Sequence, residues 1–422
     1  MKTINLKGLE MDVYEETLEN GLKIYMLPYE NKKNYFISFA TRFGSDVLEF
    51  TDENNKKQVP PLGIAHFLEH KMFEQSSGED PFTFFSKSGT DSNASTSFDN
   101  TQYICYGTKD FATNLRYLLN FVMNPYFTDQ NVEKEKGIIA EEIKMYEDMK
   151  EFALEMRLRE CIYKNHPRRY DIAGTVEEIE KITKENLYHC YNSFYIPNNM
   201  FVLIVGSFQK EEALKIIKEE LNDKEEKTLP TIKNIIEPIR VNEKEAIITS
   251  NVEIPKIAYA LKFPIKNTSL SGVELDLYLH MLTTILFGAS SLFRERVRQE
   301  KLLSSLYTEW ESTEDYKVFY LMASTIEPER LIKEIKKELE NIECNEQTMN
   351  RIKKVWISSE VRMIDNIDAT VNNLYDDIIR YQKIIPNKIE LIKNMKLKKL
   401  KELIKEIDFN NSSIVKMVKD KN

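Results

Sequence analysis

Two histidines four residues apart with an acid between them, His66, Glu69 and His70, are the residues whose types and spacing could do chemistry. On a helix, positions i and i+4 share a face, so both imidazoles project together. Such a pair can reach one metal ion at zinc–nitrogen distances of about 2.0–2.1 Å. Glu69 falls three residues after His66 and one before His70, where it can lean over the metal and act on water without ligating. Histidine is scarce here, five in 422 residues. At that frequency His-x-x-acid-His arises by chance roughly 0.01 times per chain of this length. The bland alternative is a helix whose rings are surface-exposed or satisfied in the core. Two of five histidines in this register beside a carboxylate favour metal.

A catalytic zinc site needs a third protein ligand and an open position for water. A helix expected from about Asp129 offers the ligand, because Glu135, Ile138, Ile139 and Glu142 fall at i, i+3, i+4 and i+7 on one stripe. An acid at either end of an apolar stripe is costly to bury unless it is paired or bound to metal. Without the histidine pair, solvated acids on a partly exposed stripe would be the simpler reading.

The elements that must position these residues follow from local patterns. Gly63 to Met72 carries apolar residues at helical spacing, Ile64, Phe67, Leu68 and Met72. Strands are expected at Leu22–Leu27, after the Asn20-Gly21 turn, at Tyr35–Phe43, and at the buried run Met200–Val205. Asn93–Phe98 and Thr101–Gly107 flank Asp99-Asn100 as a β-hairpin. A helix is expected over Phe111–Val122, and a single long one over Asp129–Tyr163. The second half repeats the plan, with strands at Ile254–Phe263, Leu302–Glu311 and Lys317–Thr325. A helix over Ser271–Phe287, two long helices and a last strand at Ile414–Val418 complete it. The similar openings Thr128-Asp129-Gln130-Asn131-Val132 and Asn345-Glu346-Gln347-Thr348-Met349 suggest internal duplication. The expected organisation is a metal-binding domain over 1–222, a charged, proline-containing linker over 223–240, and a homologous domain without metal over 241–422.

Composition sets the outer bounds. With 42% apolar residues and only 12 Gly and 13 Pro, the chain can build substantial cores. Its 59 basic and 68 acidic residues give a net charge of −9, which argues against a nucleic-acid partner. The Lys398-Lys399 region reads as a solvated helix face. No secretory signal or apolar run of about 20 residues is visible, so a cytoplasmic location without a membrane partner is expected. Cys105, Cys161, Cys190 and Cys344 form no CxxC pair, which argues against a disulfide framework or a zinc knuckle. Cys161 with His166, or His189 with Cys190, could suggest a thiol protease, but neither pair shows a third orienting group.

His-x-x-Glu-His inverts the common zinc-protease order and resembles the inverzincins: insulinase, pitrilysin and the mitochondrial processing peptidases. Thr17-Leu18-Glu19-Asn20-Gly21-Leu22 is similar to that family's opening strand, and Gly63 to Phe73 to its first motif helix. Asn93-Ala94-Ser95-Thr96-Ser97 resembles its Asn-Ala-x-Thr edge strand, and Asn124-Pro125-Tyr126-Phe127 its entry to the glutamate helix. Glu135 and Glu142 match its pair of acids. The resemblance covers residues 15–210 well and the second half more weakly, through the repeated architecture and Ser290-Ser291-Leu292-Phe293.

The resemblance implies an α+β fold of two similar domains, each a mainly antiparallel sheet packed with helices. It implies a zinc metalloendopeptidase with one zinc ion per chain, bound by His66, His70 and Glu142. Glu69 would be general base and Glu135 would orient a ligand from behind. Asn93 and Ala94 would pair with a peptide substrate entering as an added strand, and Arg298 would help hold it.

One departure matters. The family usually places a tyrosine seven residues after that arginine, but here the position is Ser305, with Tyr307 two further on. The second half has no histidine pair, and Ser359 stands where Glu142 stands in the first. Bacterial relatives of this length often work as two-chain assemblies, so a homodimer or a heterodimer with a related chain is expected. Two other readings share the fold: a non-catalytic partner or scaffold subunit, and a protease dedicated to maturing one leader peptide.

Overall fold

Met200–Gly206 is buried at every position, and such a run demands cover on both faces. In the computed structural model, which describes residues 1–29, 31–266 and 268–420, it is the middle strand of a seven-stranded sheet. The order across that sheet is Lys2–Leu6, Met11–Thr17, Lys23–Pro28, Met200–Gly206, Tyr35–Thr41, Thr101–Gly107, Asp91–Thr96. Only Lys23–Pro28 and Met200–Gly206 pair in parallel; the other neighbours are antiparallel. A five-stranded sheet repeats the plan in the order Glu245–Ser250, Ser412–Lys419, Lys256–Pro264, Tyr316–Ser324, Ser305–Ser312. Here the first strand, Glu245–Ser250, runs parallel to the last, as Lys23–Pro28 does to Met200–Gly206 in the first sheet. With the hairpin Lys2–Leu6/Met11–Thr17 set aside, the next strand of each sheet, Tyr35–Thr41 and Lys256–Pro264, lies antiparallel beside the last, and the one after it in that sheet, Asp91–Thr96 and Ser305–Ser312, is an edge. The repeated α+β plan expected from the two halves is therefore present.

Alternation along the strands sends side chains into two cores per sheet. Ile24 and Met26 join a core with Phe67 and Leu68, whereas Tyr25 and Leu27 face Ile367, Val371, Leu374 and Ile378 across the sheet. The second sheet is packed likewise, with Leu154, Leu158 and Ile162 against Ala258, Ala260 and Val318 on one face. Leu275, Leu279 and Leu282 lie against Tyr259, Leu261 and Phe319 on the other.

On one face of each sheet the covering helix, Ile367–Tyr381 for the first and Lys150–Ile162 for the second, comes from the opposite half of the sequence. The compact units are Met1–Met145 with Tyr170–Asn234 and Arg362–Pro386, and Tyr146–Arg169 with Ile235–Val361 and Asn387–Asn422. The units therefore differ from consecutive domains over 1–222 and 241–422, because each half lends one helix to the other's sheet. One crossing, at 234/235, does fall inside the expected linker.

The exchange also explains why the expected single helix over Asp129–Tyr163 is two. Asp129–Glu147 belongs mostly to the first unit and Lys150–Ile162 to the second. Met149, extended at φ −80° and ψ 118°, turns the chain between them. The second half holds five helices after Ser324, not two: Pro328–Glu340, Glu346–Met363, Ile367–Tyr381, Lys388–Asn394 and Leu397–Glu406. Within the two large sheets the Lys2–Leu6/Met11–Thr17 hairpin and Glu245–Ser250 lacked a sequence signal, as did the short strands Phe50–Thr51, Lys57–Gln58 and Thr231–Ile232 of a small third sheet. A helical stretch, Gly272–Gln299, does have the length and hydropathy of a membrane span, but 56% of its apolar window is buried. Leu275, Leu279, Leu282 and Leu286 fill the second core.

Candidate metal centre

The helix Ile64–Met72 is seated by Ile64, Ala65, Phe67, Leu68 and Met72, all buried. Gly63 precedes it at φ 84°, and a Cβ there would stand 2.2 Å from the Ala173 carbonyl oxygen. Only glycine suits that position. The opposing helix, Asp129–Glu147, is anchored by Val132, Ile139 and Ile143. Its start is capped reciprocally: the Thr128 N–H donates to Asn131 Oδ1 at 2.8 Å and the Asn131 N–H to Thr128 Oγ1 at 3.1 Å. Ile138 lies outside the buried stripe expected for it and is 49% exposed, since the core takes Ile139 instead.

These helices bring His66, His70 and Glu142 together, with ligand atoms all within 4.8 Å of one another. Among the described residues they are the one group of three or more that could hold a metal. His66 Nε2 is 3.8 Å from Glu142 Oε1, and His70 Nε2 is 3.5 Å from Glu142 Oε2. Tetrahedral zinc with bonds of ~2.0–2.1 Å holds its donors about 3.4 Å apart. The donor set fits that ion in type and spacing. His66 Nδ1 is buried without a hydrogen-bond partner, so the ring's polar contact is on its Nε2 side.

Three neighbours tune the set. His70 Nδ1 lies 3.1 Å from Glu135 Oε1, and a proton on Nδ1 leaves the Nε2 lone pair facing Glu142. Lys71 is fully buried, with Nζ 3.3 Å from Glu135 Oε2 and a second contact to Glu74. Thr96 donates its hydroxyl to Glu69 Oε2 at 2.5 Å. From sequence Lys71 carries no assignment, and Thr96 enters only as the threonine of the edge-strand resemblance, without a role. A lysine on the buried side of an amphipathic helix was the available signal for the first.

The electrostatics follow from burial and these contacts. Burial, then the neighbouring His70, pushes His66 down to about 3, so the ring stays neutral. Burial would lower His70 as well, but the hydrogen bond and charge of Glu135, with Glu142 and Glu69, raise it. Burial raises the Glu69 carboxyl, with the Thr96 hydrogen bond opposing. Burial works the same way on Glu135, but His70 and Lys71 outweigh it and hold Glu135 low.

Asn93 and Ala94 lie on Asp91–Thr96, the edge strand of the first sheet, whose outer side pairs with no strand among the described residues. The motif helix packs against this strand. Arg298 is exposed on the helix Leu292–Gln299 of the second unit. Ser305 and Tyr307 share the exposed face of Ser305–Ser312, and the Tyr307 hydroxyl donates to Glu309 at 2.6 Å. Ser359 holds the place in Glu346–Met363 that Glu142 holds in its own helix. The thiol alternative finds no support. Burial raises Cys161 to about 11 and pushes Cys190 up further, the reverse of an activated nucleophile.

This α+β plan used twice is the plan of M16-like peptidases. A structure described as a putative M16-like peptidase from Alicyclobacillus acidocaldarius superposes with a TM-score of 0.92 at 30% identity, covering 98% of this chain and all of that one. A protease from Helicobacter pylori shares the fold at TM-score 0.84 and 22% identity, covering 96% of this chain and 99% of that one. The family model for insulinase (peptidase family M16) matches residues 54–176, and that for the peptidase M16 inactive domain matches 181–355. Bacillus subtilis YmfH, an uncharacterized zinc protease by name, is 39% identical over 343 residues, 79% of each chain. The chain belongs to the insulinase family, peptidase family M16.

Proposed function

We propose that this protein is a zinc-dependent endopeptidase acting on peptides or unfolded segments. The observation that carries the reading is the convergence of His66, His70 and Glu142 beside Glu69, on a helix packed against an open strand edge. The naming of relatives as zinc proteases supports it. His66, His70 and Glu142 would hold the metal. Bound there, zinc supplies Lewis acidity, polarising the scissile carbonyl and making water more acidic.

The chain's own groups do the rest. Asp91–Thr96, with Asn93 and Ala94, offers main-chain N–H and C=O groups on which a peptide adds as a strand. Thr96 occupies Oε2 of Glu69, leaving Oε1 as the oxygen that takes the proton from water. The same Oε1 then returns that proton to the leaving amide nitrogen. Glu135, by accepting from His70 Nδ1, keeps Nε2 as the electron-pair donor.

The single histidine pair and the exposed Tyr307 support a second, related chain, or a second copy, as the source of the missing substrate contacts. Cytoplasmic location stays part of the same proposal. The intact donor set speaks against a purely scaffolding role. Purified protein assayed for peptide cleavage with and without chelator tests the reading, and Glu69→Gln is the variant to set beside it. Retained cleavage in that variant would overturn the role given to Glu69, and chelator-insensitive cleavage the role given to metal.

A further inference from the structure

Lys71 is a fully buried lysine, and a buried ammonium costs several kcal/mol unless it is paired. An apolar side chain would fill the same place on the helix between the buried Leu68 and Met72 without that cost. Two carboxylates meet the charge. Glu74 contacts Nζ from the turn after the helix and is 40% exposed. Glu135 Oε2 stands 3.3 Å away and is nearly buried. The other oxygen of Glu135 is the one 3.1 Å from His70 Nδ1. Lys71 Nζ, the Glu135 carboxylate and the His70 ring thus form one chain of contacts, ending on the nitrogen that faces Glu142.

We propose that Lys71 is a positioning residue for the metal centre. By holding Glu135 Oε2, it presents Oε1 to His70 Nδ1 and so orients the His70 ring with Nε2 toward the metal. Without Lys71 the carboxylate has one ordered partner instead of two, and its rotation no longer fixes the ring. The inference rests on the metal-site reading above and deepens it, because it assigns to the residue after the second histidine a task that a packing role would not need.

The two roles make opposite forecasts for Lys71→Met, which keeps the stem volume and drops the charge. If Lys71 serves packing alone, the variant is neutral or more stable and binds zinc as the parent does. If it positions Glu135, zinc affinity falls about 10–100-fold, the size expected for an outer-shell partner. The measurement is competition for zinc against a chromophoric chelator, with thermal unfolding of the metal-free forms recorded in parallel. Glu135→Gln and the double variant complete a cycle. Because Lys71 acts through Glu135, the double variant is expected to bind no more weakly than Glu135→Gln alone. Lys71→Gln, less apolar in the buried site, is titrated alongside in case Lys71→Met does not fold, and is expected to lose affinity in the same direction.

Parent-like affinity in the folded Lys71 variants, or losses that multiply in the double variant, would overturn the proposal. Absence of zinc binding by the parent protein would instead overturn the metal-site reading itself.

Discussion

His70 Nδ1 sits 3.1 Å from Glu135 Oε1 while its Nε2 faces Glu142 at 3.5 Å, so the two acids of one helix hold opposite sides of one ring. Their different jobs follow from that geometry. Glu142→Gln should weaken zinc binding severely, because it removes a charged ligand. Glu135→Gln should cost only about 10–100-fold. Isothermal titration with zinc ranks the two, and equal losses would mean that Glu135 is itself a ligand.

Thr96 separates catalysis from metal binding. Its hydroxyl reaches Glu69 at 2.5 Å and no proposed ligand. A hydrogen bond to a charged group contributes about 1.5–3 kcal/mol, so Thr96→Val should lower kcat roughly 10–100-fold with zinc affinity unchanged. A parallel loss of zinc would place Thr96 in the metal's support instead.

A pH-dependent stability is built into the second unit. Glu311 lies between Arg159 at 2.8 Å and Arg168 at 3.6 Å, and the Tyr163 hydroxyl donates to it at 3.0 Å. Burial raises its carboxyl, but the two guanidiniums and the hydrogen bonds outweigh burial and hold it below the ordinary range. A carboxyl depressed in the folded state contributes stability above its unfolded pKa of about 4.3, and that contribution is lost as pH falls. Glu311→Gln should therefore cost about 3–5 kcal/mol at neutral pH by removing the buried carboxylate that Arg159 and Arg168 share. The gap from the parent should narrow under acid. Denaturant unfolding at pH 7 and pH 4 reads both, and a gap that widens under acid would contradict the sign.

How much of this was legible in the sequence depends on how local the cause is. Helical spacing puts His66 and His70 on one face and Glu135 and Glu142 on one stripe, whereas the meeting of the two helices was readable only through the family resemblance. The hairpin expected at Asn93–Phe98 and Thr101–Gly107, found as Asp91–Thr96 with Thr101–Gly107, and the buried strand at Met200–Val205 were visible from their local turn and apolar patterns. The break at Met149 was not, since no glycine or proline marks it. What ends the helix there is the transfer of Lys150–Ile162 to the other sheet, a tertiary cause. The exchange of Ile367–Tyr381 is hidden likewise. The contacts of Lys71 with Glu135 and of Thr96 with Glu69 were hidden because the partners lie 64 and 27 residues away in sequence.

Assembly offers a further test. The Tyr307 hydroxyl donates to Glu309 on an exposed face, two residues from Ser305. If a second chain supplies the substrate clamp, Tyr307→Phe should leave cleavage unchanged, and activity should rise when a related chain is co-expressed. A well-folded monomer that cleaves efficiently and is crippled by Tyr307→Phe would place the clamp within this chain.

The most direct test joins metal content to turnover in one pair of proteins. Parent and Glu69→Gln, purified without chelator and supplied with zinc, are measured for zinc per chain and for cleavage of an unstructured peptide. The account expects one zinc per chain in both and a loss of about 10²–10⁴-fold in cleavage by Glu69→Gln. Parent protein that binds no zinc, or a variant that cleaves as well as the parent, would contradict it.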